Sequence, residues 1–413
     1  MLSKIMKNKA NIFLGLISLV VSLALVEILL RFTDFRLLLE VENIPRYYYQ
    51  ADSEKGFDIT PNVAPFVTKA DYYVKYEMWS NELGCFDRPY FGEKDYILVV
   101  GDSFSHAFAP FENKWTVHLE NLLGIRVIKA GVSSYGTKQA LLKAKGIIAK
   151  IKTPPKLIIV GYFFNDFEDD YLFPARTVMD GYLVPTKKIV NKATGECIQR
   201  DAAYLKKKIE AWQQYGTANQ EFLAKITNFV GQRSVAANLT VKFLRNFYDR
   251  YIGHGYWDTS ILLASLPYPW VAEAWESHMK NLAAFGDLAA ETGSSLLVII
   301  IPLKEQVHPF LVDWQGIDPA GQNKKVHAAL QRENICYLDL LEQFKVYRDP
   351  TPKRVLSKYD DLYWRNDAHW SFKGEMLTGY LVADYILKAN LIKLSERESK
   401  ISLIRQTLDN IKR

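Results

Sequence analysis

The stretch YILVVGDSFSHAF, Tyr96 to Phe108, decides the reading of this chain: a run of apolar and β-branched residues stops on Gly-Asp-Ser. A short apolar run with turn chemistry behind it is the pattern of a parallel strand buried on both faces. In open α/β sheets, ligands and reacting groups gather at the carboxyl ends of such strands, which puts Ser103 where a substrate can reach it. The plainer alternative is a turn in which Gly101 allows an unusual dihedral and Asp102 or Ser103 caps the next helix. The flanking sequence has to weigh the two.

Downstream, WTVHLENLLG predicts a helix with Trp115, Leu119 and Leu122 on one face and Gly124 at its end. IRVIKAG is a second strand. Thr137 then caps a helix carrying Leu141, Leu142, Ala144, Ile148 and Ile151, and after Pro154 and Pro155 the run KLIIVGYFFND is a third strand. An amphipathic segment, Trp275 to Thr292, leads to a fourth, SLLVIIIP (Ser295–Pro302), and Ile335 to Leu338 is a fifth. Strands separated by helices predict an α/β sandwich, three layers deep, around a five-stranded parallel sheet.

The alternation fails in three places. Residues 32–94 are aromatic and irregular, with Tyr47, Tyr48, Tyr49, Tyr72, Tyr73 and Trp79, and read as a tether packed on the core. Residues 171–274 are a cap insertion beside the strand ends, basic and helix-like at first. Its Tyr251, Tyr256, Trp257, Tyr268 and Trp270 either stack on sugar rings or pack the cap down. Residues 391–413 carry Ile401, Ile404, Leu408 and Ile411 at helical spacing and form a docking helix. The α/β domain itself then spans 95–170 and 275–390.

Composition bounds the function. The chain has 413 residues, 49% apolar and 24% charged, with net charge +6, enough for a sizeable core and too weakly basic to imply nucleic acid. The run Lys206, Lys207, Lys208 reads as a solvated helix face. Three scattered cysteines, Cys85, Cys197 and Cys336, imply no disulfide framework, and Cys336, within NICYLDLL, is expected to be buried. No zinc-type spacing occurs, and no metal or cofactor is called for. At the amino terminus, Ile12 to Leu30 is apolar apart from Glu27, close to the ~20 residues of a spanning helix. No cleavage site or lipid-accepting cysteine follows, so residues 1–31 read as an uncleaved signal anchor. Lys4, Lys7 and Lys9 precede it, and the short tail stays inside. The rest is then a single-pass protein's extracytoplasmic domain.

A serine hydroxyl is a weak nucleophile at neutral pH, so Ser103 needs a base, a group orienting that base, and oxyanion donors. Of seven histidines, His118, His278 and His327 fall on helical patterns, His254 and His308 sit in loops without a nearby partner, and His106, three residues from Ser103, reads as a rim residue. His369 stands apart in LYWRNDAHWSFKG, a polar turn with Asp367 two residues before it, able to fix the imidazole tautomer. The loop AGVSSYGT after the second strand and Asn165 after the third offer donors. Each also has a plain reading, as a turn or as a helix cap.

In order, GDSF, GVSSYGT, GYFFND and DAHW resemble the blocks of the SGNH, or GDSL-like, hydrolases, over about Tyr96 to Lys388 apart from the insertion. The resemblance implies a flavodoxin-like sandwich with strand order 2-1-3-4-5. By analogy Ser103 is the nucleophile and one oxyanion donor, Asn165 another, His369 the base and Asp367 its partner. Two departures stand out. Ser134 occupies the position of a glycine whose N–H lines the oxyanion hole in many members, so this donor requires unusual dihedrals and Gly131 remains a candidate. Asn366 occupies the position of the usual acid, and the Asp-x-His-Trp form resembles membrane-associated and periplasmic members, including those similar to alginate O-acetyltransferases. These features imply a Ser-His-Asp esterase or O-acyltransferase acting on acyl esters of cell-envelope glycans or other small esters. The competing readings are a non-catalytic glycan-binding or envelope-assembly protein on the same fold, and a nucleotide- or flavin-binding domain, which the lack of GxGxxG or a P-loop disfavours.

Overall fold

Five apolar runs become one parallel sheet: β1 (Tyr96–Gly101), β2 (Arg126–Lys129), β3 (Leu157–Tyr162), β4 (Ser295–Ile300) and β5 (Tyr337–Asp339), in spatial order 2-1-3-4-5. The computed structural model describes residues 2–33, 44–71, 74–215, 233–240, 263–308, 318–349, 362–364 and 367–412. Ile97 of β1 pairs with Val127 on one side and Leu157 on the other, and Ile299 of β4 pairs with Gly161 and Leu338. Every residue of β1, β2 and β3 is buried, so these runs need no polar alternation. β2 carries two buried cations, and they are paired: Arg126 lies 2.8 Å from Asp87 and Lys129 2.7 Å from Glu120.

The chain steps from β1 to its neighbour β2, then back across β1 to β3. Right-handed crossovers in opposite directions put their helices on opposite faces. Trp115–Leu123 accordingly packs with Phe372–Lys388 and Arg397–Lys412, whereas Thr137–Ile151 packs with Pro269–Thr292. Ile401, Ile404 and Leu408 of the last helix are buried in the main core. Two local expectations fail. Thr137 is the first helical residue, while Gly136 holds the cap position and donates to Gln139 Oε1 at 3.1 Å. Cys336 is exposed, because it precedes the edge strand β5.

Two segments taken as irregular or helical are hairpins. Tyr49–Asp52 pairs with Gly56–Ile59, and Phe66–Ala70 with Val74–Met78. Their rings make a second core in which Tyr48, Phe57 and Tyr76 meet Val132, Tyr135 and Trp364. The insertion opens with Arg176–Met179 paired to Tyr182–Pro185 and Lys187–Asn191 paired to Glu196–Gln199, and only then a helix, Ala202–Tyr215. Asp180 and Gly181 have φ of 51° and 79°, the two left-handed residues of the tight turn that Asp-Gly favours.

All of these elements up to Leu205, and the sheet, belong to one compact unit, Ile44–Leu205 with Tyr256–Arg413; Met1–Asn43 with Lys206–Gly255 forms another. In the latter, Phe13–Arg31 of the helix Leu2–Arg31 is long and apolar enough to cross a membrane. Glu27 near its end accepts hydrogen bonds from Ser234 Oγ at 2.8 Å and from the N–H groups of Val235 and Ala236 at 3.1 and 3.0 Å. Tyr251, Tyr256, Trp257 and His254 lie outside the described residues.

Candidate active site

Three strand-end glycines clear a shelf for the serine. Gly101 and Gly161 are register partners across β1 and β3, and Ser105 fits over them. A Cβ on Gly101 (φ 142°) would lie 2.5 Å from both Gly161 O and Ser105 Oγ, one on Gly161 2.2 Å from Ser105 Oγ, and one on Gly131 2.3 Å from Ser105 C. Without side chains there, the short helix Ser103–His106 sits directly on the carboxyl edge of the sheet, with Ser105 Oγ donating to Val100 O at 3.1 Å. Asp102 is fully buried and caps this helix, accepting from Phe104 N at 2.9 Å. The two sequence alternatives are therefore compatible: the same turn caps a helix and presents Ser103.

His369 arrives from the far end of the chain. Trp364 N donates to His369 O at 2.9 Å, and Ser371 caps the helix Phe372–Lys388, accepting from Gly374 N at 3.4 Å. These contacts fix the turn on both sides of the imidazole. Its Nε2 lies 2.8 Å from Ser103 Oγ, its Nδ1 is hydrogen-bonded to Asp367 Oδ1, and its backbone N–H donates to the same oxygen at 2.8 Å. Phe104 and Phe108 flank the ring at 4.9 and 4.5 Å, and Lys304 Nζ donates to Asp367 O at 3.4 Å. Asn366 lies outside the described residues.

The electrostatics follow from these contacts. Burial works to raise the Asp367 carboxyl, but the charge and hydrogen bonds of His369 outweigh it and bring it down to about 2. Burial works against protonated His369, yet the Asp367 carboxylate, with Asp102 behind it, raises the imidazole above its usual value. Asp102 itself is pushed up to about 6, chiefly by burial. His106 is not on the rim: it is fully buried, its Nε2 3.1 Å from the Tyr48 hydroxyl, and burial with Lys114 nearby drives it down to about 3.

The donors are placed less evenly. Ser103, as the first residue of its helix, has an N–H with no carbonyl partner inside that helix. Asn165 lines the same cleft as Ser103 and His369, with Nδ2 3.3 Å from Asp169 Oδ2. Ser134 has φ of 66°, so the left-handed backbone expected of a glycine is adopted by a serine. Val132 N donates to Gly101 O at 3.0 Å, which stitches this loop to the Ser103 turn. Gly131 and Ser134 are not among the residues lining the cleft, and Gly131 is packed against Ser105 and His106.

That cleft, about 440 Å³, is also lined by Phe163, Glu168, Asp169, Arg176, Lys187, Lys188 and Arg200. The four cations were not legible in the sequence, because they come from the hairpins of the insertion and the residue after them, and only the pairing of those strands brings them to the cleft of Ser103. Phe104 and Phe108 were likewise missed, although both lie within the opening motif. Tyr268 instead lines a different groove, and Trp270 packs against Tyr171 with ring centroids 4.6 Å apart; neither lines the serine cleft.

No protein-family model matches the sequence, and no curated protein matches it. Solved structures similar to the chain include GDSL-like lipases, acylhydrolases and acetylxylan esterases. A GDSL-like lipase from Bacteroides thetaiotaomicron is 10% identical, covering 72% of this chain and 89% of its own, with a TM-score of 0.33. A lipase/acylhydrolase from Enterococcus faecalis is 12% identical over 71% and 95%, with a TM-score of 0.33. A catalytic mutant of an acetylxylan esterase from Geobacillus stearothermophilus is 10% identical over 71% and 95%, with a TM-score of 0.35.

Proposed function

We propose that this chain is a membrane-anchored serine esterase or O-acyltransferase of the SGNH type, working outside the cytoplasmic membrane on acyl esters, acetyl esters foremost, of cell-envelope glycans. The observation that carries the reading is the continuous contact from Ser103 Oγ through His369 to Asp367, at the carboxyl edge of a parallel sheet. Neutral His369 Nε2 accepts the Ser103 proton as Oγ attacks the acyl carbonyl, and Asp367 stabilises the imidazolium that forms. The Ser103 N–H and Asn165 Nδ2 donate to the oxyanion. His369 then returns the proton to the leaving oxygen, and water or a sugar hydroxyl releases the acyl group from Ser103. The helix Phe13–Arg31 supports anchoring, and the lysines before it favour an outer domain.

The test is labelling of the full-length protein in detergent with a fluorophosphonate. The expected result is one adduct on the peptide containing Ser103, lost in Ser103→Ala. Absence of labelling at every probe concentration refutes the enzyme and favours a glycan-binding platform.

A further inference from the structure

The cleft that holds Ser103 and His369 is also lined by Arg176, Lys187, Lys188 and Arg200. Arg176 comes from the hairpin strand Arg176–Met179, Lys187 and Lys188 from Lys187–Asn191, and Arg200 follows the partner strand Glu196–Gln199. Like charges gathered on one wall of a cleft repel one another and focus an attractive field on an anion. Here none of the four makes an ion pair with a described residue. Lys187 Nζ donates to Phe173 O at 2.7 Å and Arg200 to Pro185 O at 3.4 Å, so backbone carbonyls aim them and leave their charge unspent. Arg176 Nε is buried without a hydrogen-bond partner. Two carboxyls share the lining, Glu168 and Asp169, so the four cations outnumber them two to one, and burial lifts Asp169 to about 7 despite Arg176 beside it.

We propose that the ester bound here carries an anionic group, a carboxylate or a phosphate, held by Arg176, Lys187, Lys188 and Arg200 while its acyl carbonyl lies at Ser103. This deepens the esterase reading and rests on it. Planar guanidinium groups suit either oxyanion, and the exposed Lys188 supplies attraction over a Debye length of about 8 Å in physiological salt. A neutral ester would leave this excess of cations without a counter-charge from the substrate, so the cleft selects by charge as well as by shape.

Three matched aryl acetates test it on the full-length protein in detergent: phenyl acetate, 4-acetoxybenzoate and 4-acetoxyphenyl phosphate, each kcat/KM normalised to the ester's hydroxide-catalysed rate. At least one charged ester should be preferred by about tenfold, equivalent to about 1.4 kcal/mol. That preference should shrink in Lys188→Gln and in Arg200→Gln, and in high salt. Which charged ester leads identifies carboxylate or phosphate. Ser103-dependent turnover without preference for either, or a preference untouched by both variants and by salt, overturns the charge proposal alone. Failure to turn over any of the three, or turnover that survives Ser103→Ala, overturns the esterase reading and this proposal with it.

Discussion

Asp367→Asn is the sharpest perturbation of the site, because it removes charge and leaves shape. Asparagine Oδ1 can still accept the His369 backbone N–H that Asp367 takes at 2.8 Å, so the turn should hold. What goes is the attraction to imidazolium. Two unit charges about 4 Å apart are worth about 1 kcal/mol in water and about 4 kcal/mol at an effective dielectric of 20. The Asp367 side chain is 37% exposed and His369 21%, so the pair lies between those limits. The loss in kcat/KM should accordingly be about 10- to 1,000-fold, rising toward ~10⁴ where the wrong tautomer also populates. The pH profile gives the second reading. If His369 is the neutral base, as proposed, then because Asp367 raises it the wild-type acid limb should lie above the ordinary histidine value of about 6.5. In Asp367→Asn it should move to lower pH. The assay is kcat/KM for a small activated acetyl ester across about pH 5 to 9, with circular dichroism as the folding control. Near-normal turnover, or a limb that stays in place, refutes the assignment of Asp367 and sends the search to another carboxylate.

Asn165→Ala should cost ~10²–10³ in kcat while keeping its thermal transition, since one oxyanion donor is lost; unchanged turnover removes Asn165 from the site. Ser134→Gly should raise the urea midpoint by an amount worth about 0.5–1 kcal/mol with unchanged slope, because a φ of 66° strains a serine and suits glycine; a lower midpoint contradicts this. A reporter fused after Arg413 should be active only in an extracytoplasmic compartment, and a cytoplasmic signal overturns the proposed orientation.

The sheet was legible because β1, β3 and β4 are built of apolar runs closed by turn residues, and the crossover helices keep a clear period. Ser103, His369 and Asp367 were legible because each sits in a short block at the end of such an element. The hairpins of 49–78 and 176–199 were not, since strands of four or five residues show too little alternation and their aromatic or basic content drew other readings. The cleft cations carry no local signal at all: Arg176 and Arg200 become neighbours of Ser103 only through strand pairing and the docking of the insertion. His106 misled for a related reason, because the ring that buries it, Tyr48, belongs to a segment read as a tether.

That burial explains why His106, the last residue of the Ser103 helix, and His369, which contacts it, behave oppositely. His369 faces a carboxylate and is raised; His106 is enclosed by Tyr48, Phe86 and Phe108, with Lys114 nearby, and falls to about 3. Environments that separate like residues in this way also separate their roles. His106 should stay neutral throughout the working range and leave no mark on the pH profile. Tyr48→Phe tests this. Removing the hydroxyl leaves His106 Nε2 buried without the partner it has at 3.1 Å, which should cost about 1–3 kcal/mol of stability, read as a lower urea midpoint. The acid limb of kcat/KM should not move, because the substitution leaves the contact between His369 and Asp367 intact. If the limb shifts while the midpoint holds, His106 exchanges protons in the reaction, and the division of labour argued from burial is wrong.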